Sequence, residues 1–304
     1  MKLLITTIGT VLALCCGDSS LHAAKPGDLP PNFVILLSDD QSWVGSSVLM
    51  DPADERTRSD YYRTPHLERL AKRGMLFSQG YSPAPFCCPT RRSLLVGQSP
   101  ARHIYQKDQK NWTANYRKQL SLPWMLKQAN PAYQTAHFGK WDMRFDTVTP
   151  SEMGYDVSDG YTGNGTGGSK GTGGPAAKDD PKLIRSLTQR TCDFMETQAR
   201  SGKPFFVQVS HYAVHLDIFY SEDSLKQTKR LAKGKKHTMP EFAAMTQDLD
   251  DGIGAVMDKI ESLGLQDNTY VFFLSDNGGR LTMPGQKNKK LPRNHPLRQG
   301  KGSM

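Results

Sequence analysis

Four runs of apolar residues punctuate the chain, and each breaks into polar or charged residues. Phe33-Val34-Ile35-Leu36-Leu37 runs into Ser38-Asp39-Asp40. Phe205-Phe206-Val207-Gln208-Val209 runs into Ser210-His211. Tyr270-Val271-Phe272-Phe273-Leu274 runs into Ser275-Asp276-Asn277-Gly278-Gly279. A weaker run, Tyr133 to Phe138, leads to Gly139-Lys140-Trp141-Asp142. Short continuous apolar runs predict strands buried on both faces of a parallel sheet. Between them lie helical patterns. Thr64 and Pro65 make a helix start and Gly74 a stop. Met245, Leu249, Ile253, Val256, Ile260 and Leu263 recur at helical steps before Gly264. Strands alternating with helices predict an α/β fold, a mostly parallel central sheet flanked by helices. In such sheets the ligand site lies beyond the carboxyl ends of the strands. The polar strand ends therefore predict a single active site.

Composition narrows the class. With 304 residues the chain is long enough for one large domain or two small ones. Apolar and charged fractions are ordinary for a folded protein. The formal charge of +9 favours anionic partners without naming one. There is no zinc-finger spacing, helix-turn-helix pattern or aromatic-interleaved basic sheet, so nucleic acid is not expected. Residues 1–24 read as a signal peptide: Lys2, an apolar run Leu3 to Leu14, then small residues to Ala23-Ala24. Lipid modification of Cys15 or Cys16 is the weaker reading, because bulky Leu14 or Cys15 would precede the cut. No other stretch is apolar enough to span a membrane. The mature chain, 25–304, is expected to be exported to the periplasm or secreted. It retains Cys87, Cys88 and Cys192, which is no disulfide framework. Gly160 to Gly174 reads as a mobile loop, and Lys226 to Lys236 and Arg280 to Lys301 are strongly basic. The chain stops at Gly302-Ser303-Met304 without a turn, cap or closing strand, so a C-terminally truncated domain is expected.

The candidate chemistry lies at the strand ends. Asp39 and Asp40 follow one strand; Asp276 and Asn277 follow another. Three carboxylates and an amide carbonyl form an all-oxygen set that suits Ca²⁺, with Mg²⁺ second, better than zinc. Either pair alone reads more simply as a turn former; both together favour a metal. Cys87-Cys88-Pro89-Thr90-Arg91 places Cys87 just before a helix opened by Pro89 and running to Gly97. Free N–H groups there favour an anion, and Arg91 adds a charged donor. An inert buried cysteine pair is the alternative. Lys140, His215 and Lys301 complete a set suited to a tetrahedral oxyanion. Any one of them alone reads as a surface charge, and His211 as a satisfied structural histidine.

Together these residues resemble the type I, formylglycine-dependent sulfatases of the alkaline-phosphatase-like superfamily. The resemblance runs from about Pro31 to Lys301. Cys87-Cys88-Pro89-Thr90-Arg91 looks like the family's C-x-P-x-R signature, whose spacing selects Cys87 over Cys88. Gly139-Lys140-Trp141, Val214-His215, Ser275 to Gly279 and Pro296 to Gly302 support it in order and spacing. The resemblance implies that a formylglycine-generating maturation enzyme oxidises Cys87, and that the hydrated aldehyde is a geminal diol. One hydroxyl attacks sulfur and the alcohol leaves; deprotonation of the other releases sulfate. It implies that Asp39, Asp40, Asp276 and Asn277 hold Ca²⁺ with the diol from Cys87. Arg91 would support the diol. Lys140, His215 and Lys301 would hold the sulfate, with His215 or a lysine protonating the leaving oxygen.

The sequence departs from the family at Asp142, where a histidine is usual, and mildly at Thr90. Asp142 is a competent base but supplies no positive charge. The family also continues into another strand and a smaller C-terminal sheet domain. The expected function is hydrolysis of a sulfate ester, of a small molecule or a polysaccharide. Two rivals stand beside it. One is a phosphate or phosphonate ester hydrolase of the same superfamily, against which Cys87 and the oxygen-rich set argue. The other is a degenerate or truncated sulfatase-like protein that binds sulfated polysaccharide through its basic stretches. His295 is a candidate substrate contact, with a plain loop position the simpler reading.

Overall fold

The computed structural model describes residues 29–103, 117–143, 147–168, 179–283 and 293–303. The leader at 1–24 and parts of the Gly-rich and basic stretches lie outside them. In chain order the main elements are β1 (Asn32–Ser38), α1 (Pro65–Arg73), α2 (Cys87–Val96), α3 (Leu122–Ala129), β2 (Gln134–Gly139), β3 (Val157–Ser158), α4 (Ile184–Ser201), β4 (Phe205–Ser210), α5 (Glu222–Lys229), α6 (Pro240–Ser262) and β5 (Thr269–Ser275). The five strands form one parallel sheet in the order β3-β2-β4-β1-β5. The α/β expectation is met: all four apolar runs are strands of this sheet.

The core lies on both faces of it. Val34, Leu36, Val207 and Val209 pack against Leu187, Phe194, Leu249, Ile253 and Val256 from α4 and α6. Ile35, Leu37 and Phe206 face Leu95, Trp141, Val148 and Tyr155 on the other side. Central strands covered on two faces explain why β1 and β4 read as unbroken apolar runs.

Two expectations change. Among the described residues β5 stands at the edge of the sheet, and Tyr270 and Phe272 are 59% and 46% exposed rather than buried. Cys87 is the first residue of α2 and Phe86 its N-cap, so the helix starts ahead of Pro89. In the described part of the Gly-rich stretch Gly165, Gly167 and Gly168 are buried, while Tyr161 and Thr166 are exposed. A Cβ on Gly167 would lie 2.3 Å from the Tyr212 ring. Lys236, in one basic stretch, is also buried, and its Nζ donates to the carbonyls of Arg56 and Arg58 at 2.6 Å each. No helix among the described residues is long and apolar enough to cross a membrane.

Candidate active site

Backbone pairing carries the sheet's order into the loops beyond it. The Asp39 N–H donates to the Ala213 carbonyl (2.9 Å) and the Val214 N–H to the Asp39 carbonyl (2.8 Å). The Lys140 N–H donates to Ser210 (2.7 Å) and the Asp276 N–H to Ser38 (3.1 Å). The ends of β1, β2, β4 and β5 are thus locked side by side. Two glycines are needed for this. Gly139 has φ +93°, and a Cβ there would meet the Ser210 oxygen at 2.1 Å. A Cβ on Gly300 would meet the Gly279 oxygen at 2.2 Å. That close approach lets the Lys301 N–H donate to the Gly279 carbonyl (3.0 Å) and brings Lys301 to the β5 end.

The side chains converge on Cys87. Its Sγ lies 3.4 Å from Asp39 Oδ1, 3.9 Å from Asp40 Oδ1 and 3.5 Å from Lys301 Nζ. Ligand-type atoms of Asp39, Asp40, Cys87 and Asp276 all lie within 4.8 Å of one another, and all four residues are buried. Each carboxylate has a cation. Lys140 Nζ reaches Asp39 Oδ2 at 2.5 Å and Asp142 Oδ2 at 3.5 Å. Lys301 Nζ reaches Asp40 at 2.7 Å, and His215 Nε2 lies 3.7 Å from Asp40 Oδ2. Arg91 donates through Nε (3.0 Å) and Nη2 (2.7 Å) to Asp276 Oδ2, and through Nη1 to the Lys140 carbonyl (2.7 Å). Arg91 therefore ties the β2 end to the β5 end. Asp40 and Asp142 adopt left-handed backbone, φ +58° and +54°, a conformation that aspartate tolerates better than bulky residues and that recurs at functional sites.

The charges perturb one another. Burial pushes the Asp39 carboxyl up, but Lys140, then His215 and Arg91, outweigh it and hold the group well below the usual carboxylate range. Asp276 is pushed up to about 6, by burial first and then by the charge of Asp39. Burial, reinforced by Asp39, pushes the Cys87 thiol up. Burial lowers His215. Lys301 is raised: burial opposes the shift, and Cys87 and Asp40 outweigh it.

The donor set fits a hard divalent cation. Asn277 Nδ2 donates to Asp40 Oδ1 (2.8 Å) and the Gly278 carbonyl (3.0 Å), while its buried Oδ1 has no hydrogen-bond partner among the described residues. A buried amide oxygen left without a donor, beside three carboxylates, is what an oxygen-coordinated cation would satisfy.

The ten residues expected to carry catalysis or hold the metal fall in this cluster: Cys87, Arg91, Lys140, Asp142, His215, Lys301, Asp39, Asp40, Asp276 and Asn277. His295 is exposed, with Nε2 3.4 Å from Arg56 Nη1. His211 is not the satisfied histidine expected: it is fully buried and neither ring nitrogen has a hydrogen-bond partner. Sequence reasoning missed Lys182, a buried lysine just before α4, because nothing in Asp179-Asp180-Pro181-Lys182 distinguishes it from a surface turn.

A parallel α/β sheet thus carries a carboxylate-cation cluster beyond the carboxyl ends of its strands, and comparison with known proteins identifies the family. The Sulfatase family model matches residues 31–303. The chain belongs to the sulfatase family. It is 28% identical over 284 residues to N-acetylgalactosamine-6-sulfatase of Mus musculus, covering 83% of this chain and 51% of that one. It is 27% identical over 306 residues to an ulvan-active sulfatase of Formosa agariphila, covering 87% and 54%. The chain spans about half the length of these curated relatives. Among solved structures, Ps i-CgsB has the same fold, with a TM-score of 0.70 at 23% identity over 90% of this chain and 63% of that one. The PsFucS1 sulfatase from Pseudoalteromonas sp. gives 0.63 at 23% identity, over 82% and 55%.

Proposed function

We propose that the chain hydrolyses a sulfate ester of a sulfated carbohydrate, using a formylglycine made from Cys87 and a Ca²⁺ held beside it. One observation carries this reading: Cys87 opens α2 at the meeting point of the Asp39-Asp40-Asp276 carboxylates and Lys301. The relatives support the substrate class. Ps i-CgsB has been solved with k-i-k-neocarrahexaose, and another neighbour with D-glucosamine-2-N,6-O-disulfate.

In this reading the Cys87 sulfur marks where a hydroxyl of the hydrated aldehyde would stand. Formylglycine at Cys87 would supply a hydrated aldehyde with one hydroxyl to displace the ester alcohol from sulfur and a second whose proton, once lost, lets sulfate go. What Ca²⁺ supplies, with Asp39, Asp40, Asp276 and Asn277 as ligands, is positive charge that polarises oxygen. The chain's own residues do the rest. The α2 N-terminus directs free N–H groups at the anion. Lys140 and Lys301 flank the nucleophile and offset charge developing on the sulfuryl oxygens. Arg91 is a positioning residue, fixing Asp276 and the Lys140 carbonyl in one register. Asp142, beside Lys140, is a carboxylate base for the diol proton.

His215 protonates the leaving oxygen. Its Nδ1 lies 2.5 Å from the Leu216 carbonyl, so in the neutral ring the proton sits there and Nε2 only accepts. Donation from Nε2 requires the imidazolium, which an incoming sulfate favours. The leader implies export to the periplasm or beyond, and Cys87 implies a maturation enzyme as partner. Comparing turnover of an aryl sulfate and an aryl phosphate tests the reading: sulfate is expected to be the faster substrate, and faster phosphate hydrolysis would overturn it.

A further inference from the structure

Lys182 is a buried cation for which the site as described has no use. Its side chain is 2% exposed, and its backbone has φ +58°, followed by Leu183 at +55°. Two consecutive bulky residues in the left-handed region are costly and persist where the surroundings impose them. The result here is to turn a lysine inward.

Its location follows from the contacts on either side. Lys182 leads into α4, whose Leu187 sits 3.3 Å from where a Cβ on Gly139 would stand, one residue before Lys140. The Lys182 ammonium lies over the Phe219 ring, 5.3 Å from its centroid, four residues beyond His215. Lys182 therefore lies between the β2 end and the loop that follows β4. The charges acting on it are those of Asp39, Asp217, Lys140 and Asp40.

The other cations of the pocket are already paired. Lys140 holds Asp39 and Asp142, Lys301 holds Asp40, and Arg91 holds Asp276. Among the described residues Lys182 has neither a hydrogen bond nor an ion pair, and its ammonium rests on the Phe219 face. A lysine buried along its length with no acceptor in the protein is costly to keep. Burial pushes it down to about 8, as expected for such a group.

We propose that Lys182 is a sulfate-binding residue of this pocket, its ammonium pairing with an oxygen of the substrate's sulfate group from the side of the Phe219 loop. The proposal rests on the sulfatase reading, and it assigns the charge that Lys140, shared between two carboxylates, does not deliver in full. Phe219 orients the ammonium. The entering sulfate then gains a partner that loses no competing bond.

Inorganic sulfate serves as the probe, with binding followed by calorimetry and by the rise in melting temperature. K182M is expected to bind sulfate about tenfold more weakly or worse, and to show little sulfate-dependent rise. K182R is expected to retain a good part of both. Without sulfate, K182M should melt at or above the wild-type temperature, because an unpaired buried charge has gone; a merely structural lysine would give a lower melting point and unchanged sulfate affinity. In aryl sulfate hydrolysis K182M should raise KM more than it lowers kcat. If the wild type hydrolyses aryl sulfate and K182M binds sulfate equally well, the role of Lys182 is overturned and the sulfatase reading stands. If the wild type neither binds sulfate nor hydrolyses the ester, both fall.

Discussion

Asp276 and Asp250 look alike by every measure of a single group. Both are fully buried, and both are pushed up to about 6, by burial before anything else. Each belongs to a set of at least three metal-capable residues whose ligand atoms lie within 4.8 Å of one another. Their partners differ. Asp250, on α6, accepts the N–H groups of His66 and Leu67 at 2.9 Å each, one on either oxygen. It caps the start of α1 from a neighbouring helix and pins α1 to α6. Asp276 stands at a strand end facing two further carboxylates, a cysteine and Arg91. Acidic clustering and a displaced titration therefore do not mark a site by themselves. What distinguishes Asp276 is the company of like charges from separate strands, with an orphaned amide oxygen beside them. Like charges are brought together at a cost that only a ligand or counter-charge offsets.

That contrast can be broken in four ways. C87A should lower kcat for an aryl sulfate by about 10⁴-fold or more while the protein stays folded by circular dichroism; residual turnover close to wild type would remove Cys87 from the chemistry. D276N should weaken Ca²⁺ binding by about 100-fold or more in calorimetry, and D250N should leave it unchanged. Equal losses in the two variants would erase the distinction drawn between them.

Asp250 should instead show itself in stability. D250A is expected to cost about 1–3 kcal/mol in denaturant unfolding, because two buried N–H groups lose their acceptor. The pH dependence has a defined sign. The folded-state value, about 6, lies above the ordinary 3.8, so the fold favours the protonated carboxyl. That contribution is complete below 3.8 and is lost as the pH climbs through about 6. Unfolding measured from pH 4 to pH 7 should show a loss of order 1–2 kcal/mol in the wild type that is missing in D250N. The smallest effect belongs to D251N. Asp251 is more than half exposed and 4.0 Å from His66 Nε2, so its removal should change stability by less than about 0.5 kcal/mol and leave sulfate turnover alone.

The sheet was legible because β1 and β4 are covered on both faces and so carry unbroken apolar runs. β5 gave the same signal although it stands at the sheet's edge among the described residues, since Tyr270 and Phe272 are apolar and exposed; periodicity reports side-chain character, not neighbours. α4 escaped notice because its buried stripe mixes Thr191 and Gln198 with Leu187, Phe194 and Met195. β3 is two residues long and has no pattern to read. The candidate site was legible for a different reason. Its side chains stand at strand ends, where an apolar run stopping at Asp-Asp, Gly-Lys or Asp-Asn is visible in one dimension. Lys182 stands in a turn, and only the left-handed backbone there turns it inward. Nor does sequence show that Arg91 serves Asp276, which depends on how α2 lies across the sheet.

The central claim is that Cys87 is converted to the nucleophile. Its most direct test is the mass of the peptide containing Cys87, from protein made in a host that matures such enzymes and shown to hydrolyse an aryl sulfate. The account predicts that this residue carries the lower mass of formylglycine, and that the fraction converted tracks the specific activity. An active preparation in which Cys87 is wholly thiol would contradict it.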